Sequence, residues 1–449
     1  MSDSSPSLRS PVPARNASRS DAGGSASFAY LFAQFPSFVK TFVSREAVEM
    51  VKQGMNPWLI SLRKPDDPAD LAENVELDVS YAPERTPLRA EVNAALAAGK
   101  FPLKTNIAFH WNHRTAFFGK IFGKAADSHR IFEAAWLAPQ LRARGIRHVH
   151  AHFGGVAART AWWLRKLFDF QYSFTGHAND IFCETNFPVS HGDLVRDAQF
   201  IVTETDYARE WVEKKYPVTR GKVFRVFNGI ALAGFPSRAL KPEAAKVVSV
   251  GRLVEKKGFD DLIEACRLLR ARGVKVSCDI IGAGPLEQAL RARIDRDQLG
   301  ASVHLLGPKS QAEVRRHLAE AAVFVLACIP EKGGGSDNLP TVIMEAMACG
   351  APVISTRLAG VPEMMRDGEE GLLVAPRDPA ALAEAMEKLL RDEALAARMG
   401  VRGRASAEEK FSIEITTRSL KYLLIRKGGI TPPEAAMEAD PHLGSAEFS

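Results

Sequence analysis

The sequence predicts an α/β protein built from two doubly wound, Rossmann-like domains that face each other across a cleft. Short β-branched runs alternate with amphipathic helical stretches through most of the 449 residues. Such alternation is typical of parallel sheets covered by helices on both faces. Hydrophobic residues make up 46% and charged residues 25% of the chain, as in ordinary globular proteins. No apolar run approaches the roughly 20 residues of a membrane-spanning helix.

The first half predicts one domain, residues 27–235. Its β-branched and aromatic runs predict these strands: Ala29–Phe32, His148–His152, Tyr172–Thr175, Phe200–Thr203 and Val223–Val226. Residues 82–145 interrupt the rhythm with a long helical, basic stretch. Residues 1–26, rich in Ser, Pro, Ala and Arg, lack the apolar segment of a secretory signal and are predicted to be a disordered tail.

The second half predicts another domain, residues 236–405, after a Gly- and Pro-bearing connection. Its predicted strands are Val247–Val250, Val276–Ile281, Val303–Leu306, Val323–Leu326, Val353–Ser355 and Leu372–Val374. The spacing of apolar residues predicts a helix over 259–272 that Gly273 ends, and Asp378-Pro379 predicts the start of another. A polar tail at 431–449 is predicted to be disordered.

Charge is concentrated in one segment, Thr86 to Arg147, which holds ten basic and three acidic residues in a chain of net charge +6. Aromatic residues interleave with these cations, which is typical of docking on an anionic membrane surface. A solvated helical face over an aromatic core remains an alternative. Nucleic acid is not predicted as a partner, because no recognised binding signature accompanies the charge. Five widely spaced cysteines form no CxxC pair and indicate free thiols in a reducing, cytoplasmic compartment.

Two glycine-bearing turns follow strands of the second domain. Gly251, Arg252 and Lys257 follow the first strand, where cations and backbone N–H groups would stabilise a departing diphosphate. A surface loop with solvated lysines is the alternative. Gly282 follows the next strand in a G-x-G that lacks the third glycine of the dinucleotide fingerprint, so a plain tight turn is equally compatible.

The most informative segment runs from Gly333 to Gly350. Three glycines allow the backbone to wrap around a ligand, and Pro340 suits the first turn of a helix whose N–H groups can bind an anion. Glu345, inside an apolar helix face, is expensive to bury unless it has a partner, which favours a role with ribose hydroxyls over a surface glutamate. Asp337 lies in the loop eight residues earlier, where sugar hydroxyls would be held.

Histidines mark the strand ends of the first domain. His152 ends one strand, and His177 follows the next with Asp180 three residues on, so one loop offers an imidazole and a carboxylate to a hydroxyl acceptor. Packing histidines are the alternative, above all for His148 and His150. No histidine spacing matches a zinc helix, and no G-x-S-x-G motif supports a Ser-His-Asp hydrolase. Asp295-Arg296-Asp297 falls in a charged helical stretch and is interpreted as a solvated face.

Taken together, these segments resemble glycosyltransferase family 4, retaining enzymes of the GT-B fold. The resemblance covers roughly Phe28 to Lys427. Its motifs in the second domain are V-G-R-L-V-E-K-K-G-F (250–259), I-G-A-G-P-L (281–286), E-A-M-A-C-G-A-P-V-I-S-T (345–356) and G-V-P-E (360–363). The first half is similar to colanic acid and exopolysaccharide glycosyltransferases through L-F-A-Q-F-P (31–36), T-F-V-S-R-E (41–46), H-A-H-F-G (150–154) and F-T-G-H-A-N-D-I-F (174–182).

The resemblance implies a role for each matching residue. It places His177 and Asp337 beside the reacting sugar, Asp337 standing where the family's E-x7-E motif has its first glutamate. Donor contacts are implied at Gly251, Arg252, Lys257, Gly282, Asn338, Leu339, Pro340, Thr341 and Glu345. Acceptor contacts are predicted at Gln34, Thr41, His152 and Asp180. The resemblance also implies a C-terminal helix at 406–430 that packs back on the first domain, as in this fold.

The implied reaction transfers a sugar from a UDP- or GDP-linked donor to a hydroxyl acceptor with retention, with no cofactor and no metal. The expected acceptor is a polyprenyl-diphosphate-linked oligosaccharide at the inner face of the cytoplasmic membrane. Alternatives are a lipopolysaccharide-core or small-metabolite acceptor, a catalytically silent sugar-nucleotide binder, and a nicotinamide-dependent oxidoreductase. The oxidoreductase lacks the full glycine fingerprint and its acidic partner.

Overall fold

The computed structural model describes residues 27–36, 41–65, 77–102, 105, 128–183, 187–236, 245–331 and 335–433. Two parallel sheets form its framework, as predicted. The strands are β1 Phe28–Phe32, β2 Pro57–Ser61, β3 Val79–Tyr81, β4 His148–His152, β5 Gln171–Gly176, β6 Ile201–Thr203, β7 Val223–Arg225, β8 Lys246–Val250, β9 Ser277–Ile281, β10 Val303–Gly307, β11 Val323–Leu326, β12 Val353–Thr356 and β13 Gly371–Val374.

Helices connect these strands. They are α1 Thr41–Lys52, α2 Arg85–Ala97, α3 Ser128–Ala143, α4 Val156–Phe168, α5 Ala178–Phe182, α6 His191–Asp197, α7 Asp206–Lys215, α8 Phe259–Ala271, α9 Glu287–Arg296, α10 Gln311–Glu320, α11 Thr341–Ala348, α12 Val361–Met364, α13 Pro379–Arg391, α14 Glu393–Lys410 and α15 Ile413–Arg426. Each strand predicted from sequence is present, whereas β2 and β3 were not predicted. The proline that opens β2 and the three half-buried residues of β3 weaken the strand pattern there.

In each sheet the order in which successive strands are added reverses at one point, and this point lies at the cleft. The first sheet runs β3-β2-β1-β4-β5-β6-β7 and the second runs β10-β9-β8-β11-β12-β13. In such doubly wound sheets, ligands bind beyond the carboxyl ends of the strands on either side of the reversal. These strands are β1 and β4 in the first sheet, and β8 and β11 in the second.

Each sheet is covered by apolar side chains on both faces. In the second sheet, alternate residues of β11 serve the two faces, with Phe324 packing in one apolar cluster and Val325 in the other. This burial on both sides explains why the strands read as continuous apolar runs. All five cysteines are free thiols.

The chain returns to the first domain at its end. Leu420 and Leu424 of α15 pack in the same apolar cluster as Phe28 and Tyr30 of β1. The prediction of one helix at 406–430 was wrong, because residues 406–410 end α14, and α15 begins at Ile413 and ends at Arg426. The break is held by the interdomain connection, since Ile230 N–H donates to the Phe411 carbonyl and Ile413 N–H donates to the Ile230 carbonyl.

Much of the basic, aromatic segment falls outside the described residues, at 103–104 and 106–127. Of its aromatic residues that are described, Phe101 and Phe132 are buried in the core, and Trp136 packs against the core while donating to Glu91. These rings are therefore packed in or against the apolar core of the first domain. None of the described helices combines the length and apolarity needed to cross a bilayer. The predicted tails also lie outside the described residues, except 431–433.

Candidate functional site

The two domains meet through polar contacts across the cleft. Thr205, just before α7, donates its hydroxyl to Asn338 Oδ1 of the second domain at 2.8 Å. Glu363 of α12 accepts from the backbone N–H groups of Asp206 and Tyr207, both at 2.7 Å. Arg45 of α1 donates to Gln311 of α10 at 3.1 Å. The loops after the strands of both sheets are thus held face to face.

A cavity of about 280 Å³ lies on the second-domain side of this cleft. Four predicted donor residues line it, namely Gly251, Lys257, Thr341 and Glu345. The remaining lining residues are Val250, Lys309, Gln311, Val314, Arg315 and Val342. The structure therefore gathers the ends of β8 and β10 and the first turn of α11 around one hollow.

Lys257 is held in this cavity by Asp337. The Asp337 carboxylate forms ion pairs with both Lys257 and Lys256, the latter at 3.1 Å. Burial raises the pKa of Asp337, but the two ammonium groups outweigh it and leave that pKa below its usual value. Burial likewise lowers the pKa of Lys257, and Asp337 reverses this shift. Both groups are therefore charged at neutral pH.

Glycine at 258 fixes the turn that carries Lys257 into the site. Gly258 has φ +65° and caps α8, and a Cβ there would lie 1.7 Å from the carbonyl oxygen of Ala327, at the end of β11. Gly282 is as constrained, because its φ is +140° and a Cβ would lie 2.0 Å from the Gly251 carbonyl oxygen. The glycine motifs are thus explained by close backbone approach between neighbouring loops.

Glu345 faces the same cavity from α11. Burial raises its pKa, although the guanidinium groups of Arg45 and Arg315 oppose that shift. Arg45 comes from the first domain, so a cation of one domain lies close to the half-buried carboxylate of the other. Arg45 lies within the motif T-F-V-S-R-E, but no role was predicted for it from sequence.

Three further predicted donor residues immediately precede α11. Asn338 is 1% exposed, and its side-chain nitrogen has no hydrogen-bond partner among the described residues. Leu339 packs in the apolar core, and Pro340 immediately precedes α11. Arg252, in contrast, is exposed and does not line the cavity.

The predicted histidines lie in a buried polar network at the ends of β4 and β5. His152 contacts Glu46 of α1 at 3.0 Å, and Glu46 also accepts from the Tyr30 hydroxyl. His177 contacts Glu204 through Nδ1 at 2.7 Å, and its Nε2 is buried without a partner among the described residues. Neither glutamate was singled out from sequence, because each lies far along the chain from its histidine.

His148 and His150 serve packing, as the alternative interpretation held. Ser173 Oγ lies 2.7 Å from a ring nitrogen of each histidine. Burial lowers the pKa of His148 to about 3 and that of His150 well below its usual value. Both imidazoles are therefore neutral parts of the first sheet.

The other predicted acceptor residues are Asp180, Gln34 and Thr41. Both oxygens of Asp180 accept backbone N–H groups, from Gly154 and from His177, so this carboxylate ties together the loops after β4 and β5. Burial raises the pKa of Asp180 to about 6. Gln34 donates to the Lys64 carbonyl, and Thr41 is the first residue of α1.

A metal site requires several clustered ligands, and the D-x-D pair Asp295 and Asp297 can now be placed in the fold. Within the described ranges, no three His, Cys, Asp or Glu side chains cluster as metal ligands would. Asp297 pairs with Arg293 and Arg296 on and beside α9, and Asp295 is exposed on the same helix. The D-x-D pair is therefore a solvated helix face.

Comparison with known proteins defines the class. Residues 235–406 match the family model described as Glycosyl transferases group 1. The two parallel sheets and the cleft between them give the chain the GT-B fold. It carries a glycosyl transferases group 1 domain in its second half.

Individual relatives extend this match to both halves. The chain is 29% identical over 406 residues to the protein named as a colanic acid biosynthesis glycosyltransferase, WcaL, of Salmonella typhimurium, covering 88% of this chain and 98% of that one. It is 38% identical over 181 residues to the amylovoran biosynthesis glycosyltransferase AmsK of Erwinia amylovora, covering 40% of this chain and 44% of the relative. The crystal structure of Anabaena Alr3699/HepE in complex with UDP and glucose shares the fold, with a TM-score of 0.65 at 15% identity, over 89% of this chain and 99% of that one.

Proposed function

We propose that the protein is a retaining glycosyltransferase of exopolysaccharide biosynthesis. It moves a sugar from a UDP- or GDP-linked donor to a hydroxyl of a polyprenyl-diphosphate-linked oligosaccharide. The carrying observation is the cavity in which Lys257, the first turn of α11 and the half-buried Glu345 converge. The similarity to WcaL, which spans nearly its whole length, supports the exopolysaccharide assignment.

The donor occupies the second-domain side of the cleft. Its diphosphate contacts Lys257 and the N–H groups at the start of α11, since a helix N-terminus and an ammonium both stabilise an anion. Its ribose hydroxyls donate to Glu345, and Asp337 contacts the donor sugar. Diphosphate charge grows as the sugar departs, so these groups stabilise the transition state more than the bound substrate.

Transfer follows a front-face route. The acceptor oxygen bonds to the anomeric carbon on the face that the diphosphate leaves, so configuration is retained. The electron pair of the broken bond goes to the diphosphate oxygen, which also takes the proton of the acceptor hydroxyl. His177 contacts the reacting sugar or the acceptor hydroxyl through Nε2, the ring nitrogen that Glu204 leaves free.

Binding and chemistry are tested separately. A thermal-shift screen with UDP, GDP and ADP identifies the nucleotide, and transfer assays then use sugars on that nucleotide with membrane lipid extracts as acceptor. NMR of the product reports the anomeric configuration. An inverted product would refute the front-face route. Nucleotide binding with neither transfer nor hydrolysis of any donor would favour the silent sugar-nucleotide binder instead.

Membrane association is tested on its own. The cations between Thr86 and Arg147 are proposed to dock on anionic lipid, which places the enzyme near a lipid-linked acceptor. Co-sedimentation with phosphatidylglycerol vesicles should be strong at low salt and weak at high salt, because the attraction is screened. Equal sedimentation with neutral phosphatidylcholine vesicles would contradict electrostatic docking.

A further inference from the structure

Glu204 is a buried carboxylate in a position that packing alone does not explain. It follows the last residue of β6 and is 5% exposed. A carboxylate without partners is costly to bury, so its partners indicate why it is there. Its Oε1 receives the side-chain N–H of Asn228 and lies 2.7 Å from Nδ1 of His177.

These contacts fix the proton arrangement of His177. A carboxylate oxygen accepts, so Nδ1 carries the proton that points at Glu204. The other ring nitrogen, Nε2, is buried and has no partner among the described residues. The rings of Phe42 and Phe153, with centroids 5.0 and 4.4 Å from that of the imidazole, restrict its orientation.

We propose that Glu204 is a positioning residue of the transfer reaction, which holds His177 so that Nε2 faces the substrate. The inference rests on the proposed function, because it requires His177 to contact the reacting sugar or the acceptor. Carboxylate–histidine pairs of this kind fix both the tautomer and the ring orientation. Asn228 in turn fixes Glu204, so the arrangement is a chain of three side chains.

Glu204 also determines the charge of His177. Burial lowers the pKa of His177, but attraction and hydrogen bonding from Glu204, with smaller contributions from Asp180 and Glu46, leave it raised. The other titratable groups that face this imidazole are His152, stacked at 5.9 Å, and His150 behind it. The raised pKa favours the imidazolium form, in which Nε2 also carries a proton and can donate to a substrate oxygen.

The test is Glu204→Gln, which keeps the shape and removes the charge. Its matched control is Glu210→Gln on α7, where the side chain is 73% exposed. NMR titration of ring-labelled histidine, with His177 assigned from its missing signal in His177→Gln, measures the pKa directly. Release of UDP or GDP from the preferred donor measures kcat and KM across about pH 5 to 9.

Glu204→Gln should lower the pKa of His177 and lower kcat by roughly 100-fold, with a much smaller change in the donor KM. The alkaline limb of the kcat profile should move to lower pH with the His177 titration, because fewer molecules then carry the Nε2 proton. Glu210→Gln should match wild type. An unmoved His177 titration, or a lower kcat with an unmoved alkaline limb, would reduce Glu204 to a structural residue and overturn the proposal.

Two further measurements keep the outcomes separable. If Glu204→Gln fails to fold, Asn228→Ala serves in its place, and it should lower kcat several-fold while shifting the same limb; a wild-type profile in that variant contradicts the proposal. If wild type binds nucleotide but releases none from any donor sugar, the proposed function fails and the catalytic role of Glu204 fails with it. The His177 titration then still reports whether the carboxylate controls the imidazole.

Discussion

Asp337 forms an ion pair with Lys257, the cation that is proposed to bind the donor diphosphate. Its carboxylate pairs with Lys257 and lies 3.1 Å from Lys256. A bound diphosphate must share these ammonium groups with the carboxylate. We therefore expect Asp337→Asn to bind UDP or GDP more tightly than wild type while it transfers sugar more slowly.

The magnitude follows from the charges. At an effective dielectric of about 20, two like unit charges roughly 5 Å apart repel by about 3 kcal/mol. Solvent and small movements reduce this, so a gain of about 1.4 kcal/mol in nucleotide binding, or tenfold in Kd, is the expected size. Transfer should fall at least tenfold, because the neutral amide makes a weaker hydrogen bond to a sugar hydroxyl than the carboxylate does.

Isothermal titration calorimetry with the preferred nucleoside diphosphate measures the first effect, and donor turnover measures the second. Asp295→Asn is the matched control, since it makes the same change on the exposed face of α9. Unchanged or weaker nucleotide binding in Asp337→Asn would refute the reasoning, because Lys257 would then not be the cation that meets the diphosphate.

The same substitution makes a prediction about acid stability. The folded-state pKa of Asp337 lies below its ordinary value of 3.8. Its charge therefore contributes stability above that value, and the contribution is lost as pH falls through the folded pKa. Urea unfolding should show wild type more stable than Asp337→Asn at neutral pH, with the difference shrinking below about pH 4. A difference that grows in acid would contradict the ion pair.

Three more substitutions test other parts of the site. Glu345→Gln should weaken nucleotide binding about tenfold in calorimetry, since a charge-assisted ribose contact is lost; wild-type affinity would remove this residue from the donor site. Glu363→Ala removes the acceptor for two N–H groups at the start of α7. It should lower kcat several-fold and increase the radius of gyration in X-ray scattering. An unchanged radius would exclude a role of Glu363 in holding the domains closed. Gly258→Ala should destabilise by more than about 3 kcal/mol in urea unfolding, because its Cβ meets the Ala327 carbonyl; near-wild-type stability would show that the turn can relax.

The sheets were predictable because their strands are buried on both faces. Val323–Leu326 is apolar at every position, and so is most of Val247–Val250, so each strand is visible in sequence without its partners. Strand β3 is three half-buried residues at a sheet edge, which local patterns do not separate from a loop. The break between α14 and α15 was missed because Ile230, whose backbone bonds to both sides of it, is remote in sequence.

The candidate site divides in the same way. Lys257, Asp337 and Glu345 were identified because glycines and a helix start mark the loops that carry them. Glu46 and Glu204 were not, since a carboxylate 106 or 27 positions from its histidine leaves no local signal. Arg252 was selected by position in a motif, but local sequence does not determine which way a loop side chain points, and it is exposed.

The junction between β6 and α7 connects both halves of the proposed mechanism. Glu204 contacts His177, the neighbouring Thr205 donates to Asn338 just before α11, and the next two backbone N–H groups donate to Glu363. Consecutive residues of one rigid turn cannot move independently, so separation of the domains would disturb the support of His177. Water would then meet the donor only when the histidine is less well ordered, which would limit wasteful hydrolysis in the open state. If the two are coupled, Glu363→Ala should leave the ratio of donor hydrolysis to transfer unchanged from wild type. A raised ratio would show that His177 keeps its orientation when the domains separate, and would contradict the coupling.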